Sequence, residues 1–297
     1  DRIMKSVSVM AFWLAAAILA GPALAGEGSG PYPAVFEEDA GLPDHVVYRP
    51  EHMEAVKAGE LGLYVFGNGG CSTDGTSSRN HLLEIASQGY LVVAPGIIPS
   101  AHPKAEGETQ AGNGQLRAPT APEALTEAID WAVRENARPD SPYYHRLAPG
   151  KIAASGWSCG GLQAIAIAKD PRISTFVIMN SGVFNAGNPI AGLNVDKAML
   201  ASLHGSVIYV MGGPTDIAYN IGRDDYSRIT HIPAAYIDIP VGHGGTYMEP
   251  NGGIGAEVVT AWLNWRLKDD ATAARKFTGD GCGYCVDKRI VYEHKNF

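Results

Sequence analysis

The chain has 297 residues, of which 45% are apolar and 18% charged, with a formal net charge of −8. That apolar share suits a packed core and excludes a disordered chain. The acidic balance, with no Lys/Arg cluster, excludes nucleic acid and disfavours an acidic polymer as partner.

In chain order, Met4-Lys5 supplies a short positive segment and Val7 to Ala20 an almost unbroken apolar run. Gly21-Pro22 breaks that run before Ala23-Leu24-Ala25, a small-x-small pattern. This predicts a cleaved export signal over 1–25, with residues 1–3 upstream of Met4, and a mature chain beginning near Gly26 in a secreted or periplasmic setting. The run is too short for a membrane anchor and has no basic stop-transfer flank. Residues 26–45 are rich in Gly, Pro and acids and read as an irregular lead-in to a single domain over 26–297.

Leu61 to Phe66 reads as a buried strand, Asn80 to Gln88 as a helix and Tyr90 to Ala94 as the next strand. Ser100 to Ala118 is a polar loop. Thr120 is placed as the cap of a helix with Pro122 in its first turn, running through Ile129 to Val133. Ile152 to Ser155, Thr175 to Met179, Ser206 to Met211 and Ala235 to Ile239 read as strands. Residues 159–168 and Ile254 to Leu267 read as helices. Apolar strands alternating with helices predict an α/β fold, a mostly parallel sheet covered on both faces. Its ligand site belongs beyond the carboxyl ends of the strands.

Gly156-Trp157-Ser158-Cys159-Gly160 fits G-x-S-x-G. It lies between a strand and a helix, as a nucleophile elbow requires. A serine hydroxyl needs a base, and on α/β sheets the order is Ser, then Asp or Glu, then His. Asp216 follows the strand ending at Met211, with Asp224 and Asp225 as fallbacks. His243 follows the last strand among flanking glycines. His204 and His231 precede strands and belong at the wrong end of the sheet. A histidine base predicts activity lost at acid pH, where a free imidazole takes up a proton.

An oxyanion hole needs two backbone N–H groups. Cys159, after the nucleophile, supplies one. The loop Gly67-Asn68-Gly69-Gly70-Cys71 supplies the other, with Cys71 first choice and Gly70 second. Gly70 and Gly75 have phosphate-loop spacing, but the required lysine is missing and that alternative is rejected. The four cysteines allow three pairings. Cys71 and Cys159 fall on two sides of one hole, which predicts a disulfide between them. Cys282 and Cys285 then close a local loop rather than a redox pair.

Gly156 to Gly161, Thr215-Asp216 and Gly242-His243 resemble the polyester hydrolase, cutinase-like and dienelactone-hydrolase branch of the α/β-hydrolases. Leu83 to Val93 is similar to the helix and strand after the oxyanion loop of bacterial polyester hydrolases. The likeness covers most of 60–268. It implies a mostly parallel sheet of about eight strands, no metal, no cofactor, and Trp157 beneath the substrate. Polyester hydrolases carry an aromatic residue at the position of Cys71 and Met at that of Cys159, so the chain resembles a separate secreted subfamily.

The expectation is a monomeric secreted serine esterase working through an acyl-enzyme. No long insertion separates Val183 from Ser206, so no large lid is expected, and an open cleft suits bulky or polymeric esters. Trp157, Phe184, Tyr219 and Tyr247 are candidates for its walls. A peptidase or lactonase on the same fold, or a non-catalytic binding protein, is the alternative.

Overall fold

The computed structural model describes residues 23–102 and 116–297. Most of the expected export signal, and the middle of the polar loop Ser100 to Ala118, lie outside the described residues.

Ten strands form one sheet. They are β1 (Leu24–Ala25), β2 (Ala34–Asp39), β3 (Leu42–Pro50), β4 (Leu61–Gly67), β5 (Tyr90–Pro95), β6 (Leu147–Trp157), β7 (Thr175–Met179), β8 (Ser206–Met211), β9 (Ala234–Asp238) and β10 (Val291–Lys295). Their order is β1-β2-β3-β5-β4-β6-β7-β8-β9-β10. β5, β4, β6, β7, β8 and β9 run parallel. The outer pairings on both sides are antiparallel. The helices are α1 (Arg79–Ser87), α2 (Glu123–Ala137), α3 (Cys159–Ala166), α4 (Tyr219–Arg228), α5 (Gly253–Lys268), α6 (Ala271–Phe277) and α7 (Gly283–Val286).

The predicted α/β class holds, and every predicted strand lies in the parallel block. The lead-in is corrected. β2 and the start of β3 occupy residues expected to be irregular, and Leu24–Ala25, expected to end the signal, pair with Val35 and Phe36. Together with β10 this gives more strands than the resemblance implied. The helix cap is corrected too. α2 starts at Glu123 after Pro122, and Thr120 instead donates from its N–H and Oγ to the Cys71 carbonyl (3.1 and 2.9 Å).

All seven residues of β4 are buried, and side chains alternate between the two faces as strand geometry demands. Leu61, Leu63 and Val65 enter one core with Leu125, Ile129 and Trp131 of α2, Leu162 of α3 and Tyr226 of α4. Tyr64 and Phe66 enter the other with Leu82 and Ile85 of α1, Trp262 of α5 and Phe277 of α6. Each large apolar side chain so buried stabilises the fold by roughly 1.5–3 kcal/mol.

The helix faces follow from the strand order. From β4 the chain passes through α1 to β5 on one side. It then returns through α2 to β6 on the other side of β4 and continues outward. Right-handed crossovers in opposite directions put α1 on one face and α2, α3 and α4 on the other, and α5 and α6 cover the α1 face. The reversal leaves a crevice at the carboxyl ends of β4 and β6, where ligands of open α/β sheets bind.

Candidate active site

Ser158 sits at that crevice, in the turn from β6 into α3. Its backbone has φ 54° and ψ −119°, a region that costs an L-residue about 1–3 kcal/mol. Glycines make the turn possible by letting main chains touch. A Cβ at Gly160 would lie 1.9 Å from the Gly67 carbonyl oxygen, and one at Gly156 would lie 2.2 Å from that of Gly160. The Ser158 N–H donates to the Met179 carbonyl (2.9 Å), and its own carbonyl accepts from Ser181 Oγ (2.6 Å). The side chain is therefore lifted above the sheet on a fixed base.

Asp216 lies in the loop after β8 and His243 in the loop after β9. His243 Nε2 is 2.9 Å from Ser158 Oγ, and Nδ1 is 2.6 Å from Asp216 Oδ1. A carboxylate only accepts. So Nδ1 carries the hydrogen toward Asp216, and Nε2 is left to accept from the serine hydroxyl. The loops touch closely. A Cβ at Gly212 would meet the Gly242 carbonyl oxygen at 2.0 Å, and the Gly242 N–H donates to Gly212 (2.8 Å).

The Asp216 side chain is fully buried. It accepts from the Ala218 N–H (2.9 Å), the Gly212 N–H (3.0 Å) and Asn180 Nδ2 (2.8 Å) as well as from His243. Burial alone pushes its pKa up, but the hydrogen bonds from His243, Ala218, Asn180 and Gly212 outweigh burial and hold it below the ordinary aspartate value. The fallback carboxylates are engaged elsewhere. Asp224 pairs with Lys197 and Arg228 (both 2.7 Å). Asp225 accepts from Lys197, the Val183 N–H and Tyr209, and burial pushes it up to about 6 against those partners. His204 and His231 bond to the carbonyls of Ser202 and Leu203, before β8 and β9 and away from the crevice.

The loop expected to supply an oxyanion donor follows β4. Cys71 and Cys159 form a disulfide across 88 positions, with Cα atoms 5.2 Å apart. Cys282 and Cys285 form the second. Thr120, held in turn by Gln163 Nε2 (2.8 Å to its carbonyl), clamps the Cys71 carbonyl. The first choice of donor is engaged within its own loop. The Cys71 N–H already donates to the Asn68 carbonyl in a tight turn (3.0 Å). Gly70, at φ 63°, has an N–H with no acceptor among the described residues, and its α-carbon faces open space. The Cys159 N–H, in the first turn of α3, is likewise without an acceptor among the described residues. Such first-turn amides are good donors to developing negative charge.

A cleft of ≈ 80 Å³ opens beside the serine, lined by Leu162, Phe184, Ile190, Ile217, Ala218 and Ile221 with Ser158, Cys159 and His243. Of the four predicted wall residues only Phe184 is there. Tyr219 lines a separate groove with Arg223 and Asp238, because the first turn of α4 points it to the sheet edge. Trp157 and Tyr247 do not line the cleft and pack together against the His243 loop. Their rings stack at 4.6 Å, and the Trp157 indole donates to the His243 carbonyl (2.9 Å). Tyr247 is buried and donates to Asn180 Oδ1 (2.6 Å). Asn180, at the carboxyl end of β7, was missed in the sequence. The available signal was its place after a parallel strand, between the serine and aspartate loops. A larger groove of ≈ 580 Å³ between α1, α5 and α6 contains none of these residues.

No protein-family model matches the chain, and no curated protein is similar enough in sequence to count as a relative.

Proposed function

We propose that this chain is a serine hydrolase of the α/β-hydrolase kind, acting on carboxylic esters through an acyl-enzyme. The observation that carries this is the unbroken hydrogen-bond sequence from Asp216 through His243 to Ser158, at the crevice where the strand order reverses.

His243 Nε2 takes the Ser158 proton as Oγ attacks the ester carbonyl carbon. The carbonyl oxygen gains the negative charge and is met by the N–H groups of Cys159 and Gly70. Each such donor is worth about 3 kcal/mol of barrier. Collapse breaks the carbon–oxygen bond to the alcohol, which leaves with the proton from Nε2. Water, deprotonated by the same nitrogen, then releases the acid and returns the proton to Ser158. Asp216 stays ionised throughout and faces the imidazolium. The apolar cleft beside the serine suits a compact acyl group, and its open mouth admits bulky alcohol portions. Two disulfides support an oxidising, exported setting.

A fluorophosphonate probe and a series of p-nitrophenyl esters test this. Wild type is expected to label at Ser158 and turn over short esters, and Ser158→Ala to do neither. A wild-type protein that neither labels nor hydrolyses any of the series overturns the proposal.

A further inference from the structure

The Asn180 side chain occupies an unusual position. It is buried, 3% exposed, and its backbone is left-handed at φ 44°, a conformation that asparagine tolerates better than most residues. Its Nδ2 donates to Asp216 Oδ2 (2.8 Å) and to the carbonyl of Gly242 (3.2 Å), the residue before His243. Both partners can only accept, so the amide cannot be turned around. Its Oδ1 accepts from Tyr247 (2.6 Å). Tyr247 stacks on Trp157, and Trp157 donates to the carbonyl of His243. His243 donates back to Asp216. The contacts close a ring through Asp216, Asn180, Tyr247, Trp157 and His243, with the serine outside it.

We propose that Asn180 is the positioning residue of this site: its amide fixes the Asp216 carboxylate and the His243 loop against each other, and Tyr247 orients that amide. This rests on the triad chemistry proposed above. With Oδ2 tied to Asn180 and the Gly212 N–H, the carboxylate has one orientation, and Oδ1 faces Nδ1. The tie to Gly242 fixes the loop from which the imidazole projects. None of the three planar groups can rotate without breaking a bond to another member.

The chemistry of the ring predicts more than a loss of rate. Asn180→Leu removes both donors and should lower kcat about tenfold or more, as expected for a lost hydrogen bond to a charged group. KM should change less than kcat, because Asn180, although it borders the cleft, spends its amide on Asp216, Gly242 and Tyr247 rather than on a substrate. Asn180→Asp places a second carboxyl beside Asp216. The titratable groups around that carboxyl are His243, Tyr247 and, more remotely, Asp238. As the added group ionises, the extra negative charge favours the protonated imidazole, so the acid limb of kcat/KM should move to higher pH. Tyr247→Phe should lower kcat less than Asn180→Leu, and the double variant should be no slower than Asn180→Leu alone, since both act through one amide.

The experiment measures kcat, KM and the pH profile of all four variants on a p-nitrophenyl ester, with rates divided by the serine that a fluorophosphonate titrates. Titration removes any contribution from misfolded protein. A wild type that neither labels nor hydrolyses removes the underlying hydrolase proposal. An active wild type whose Asn180 variants keep kcat per titrated serine within twofold, with an unmoved acid limb, overturns this inference alone. So does a double variant whose losses simply multiply.

Discussion

Replacing Cys71 and Cys159 together by alanine tests how the two walls of the proposed oxyanion site are held. The disulfide closes a loop across 88 positions. In the chain-entropy account, a link of that span removes about 4–5 kcal/mol worth of freedom from the unfolded chain. Both cysteines are buried, and alanine fills nearly the same space, so the native state loses little packing. The expected loss is about 4 kcal/mol, or roughly 8–16 °C in Tm for a chain of this size. Cys282→Ala with Cys285→Ala is the internal control. That pair spans only 3 positions and should contribute about 2 kcal/mol or less. Urea unfolding of wild type and both double variants gives the midpoints and slopes. The slope should rise in the Cys71/Cys159 variant, because the freed unfolded chain exposes more surface. Activity should fall further than stability explains, since Gly70 loses its tether to α3. If removing the long-range link costs no more than removing the short one, the disulfide is not constraining the chain as described.

Gly160→Ala should lower stability by at least about 3 kcal/mol, because its Cβ would sit 1.9 Å from the Gly67 carbonyl oxygen; a wild-type urea midpoint refutes the close packing of β4 on α3. The His81 ring is fully buried, its Nε2 bonded to Tyr64 (3.1 Å), and burial lowers its pKa from 6.5 to about 3. A folded value below the unfolded one means full stability above about pH 6.5, with loss as the pH falls toward 3, so His81→Phe should remove on the order of 3 kcal/mol of destabilisation at about pH 4.5. Unfolding curves at that pH and at about pH 7.5 check this, and an equal acid loss in both proteins contradicts it. Ile217 is 82% exposed at the mouth of the cleft. Ile217→Ser should leave stability within about 0.5 kcal/mol while raising KM for esters with longer apolar acyl groups more than for acetate; an equal change for both means the acyl group does not lie on this wall.

The parallel strands were legible because each is an apolar run bounded by turn residues, and burial on both faces demands such runs. The first antiparallel strands were not. Glu37, Glu38 and Asp39 in β2, and Asp44 and His45 in β3, interrupt any apolar run, since these strands lie toward the edge of the sheet with part of each face near solvent. β10 reads Val291-Tyr-Glu-His-Lys295 and is partly exposed throughout, so only its pairing with β9 makes it a strand. Within the candidate site, the meeting of Ser158, Asp216 and His243 was legible because chain order and placement after strands constrain them. Asn180 was not, because nothing local separates an asparagine that bridges two loops from one that ends a strand. That Trp157 and Tyr247 lie outside the cleft beside the serine was not legible for a similar reason. An aromatic residue beside a candidate nucleophile or base packs equally well on several sides of it, and the hydrogen bonds to His243 and Asn180 that hold these two are long-range. The choice between the amides of Cys71 and Gly70 turned on one tight-turn bond to Asn68, which spacing alone does not reveal.

The backbone at position 158 has a consequence for anyone evolving this protein. Glycine accepts φ 54° and ψ −119° without the steric penalty that serine suffers there. A selection that rewards heat resistance alone would therefore be drawn to Ser158→Gly, sturdier and without the proposed nucleophile. Selections for robustness need a paired screen that scores the hydroxyl, or they will drift toward a well-folded shell.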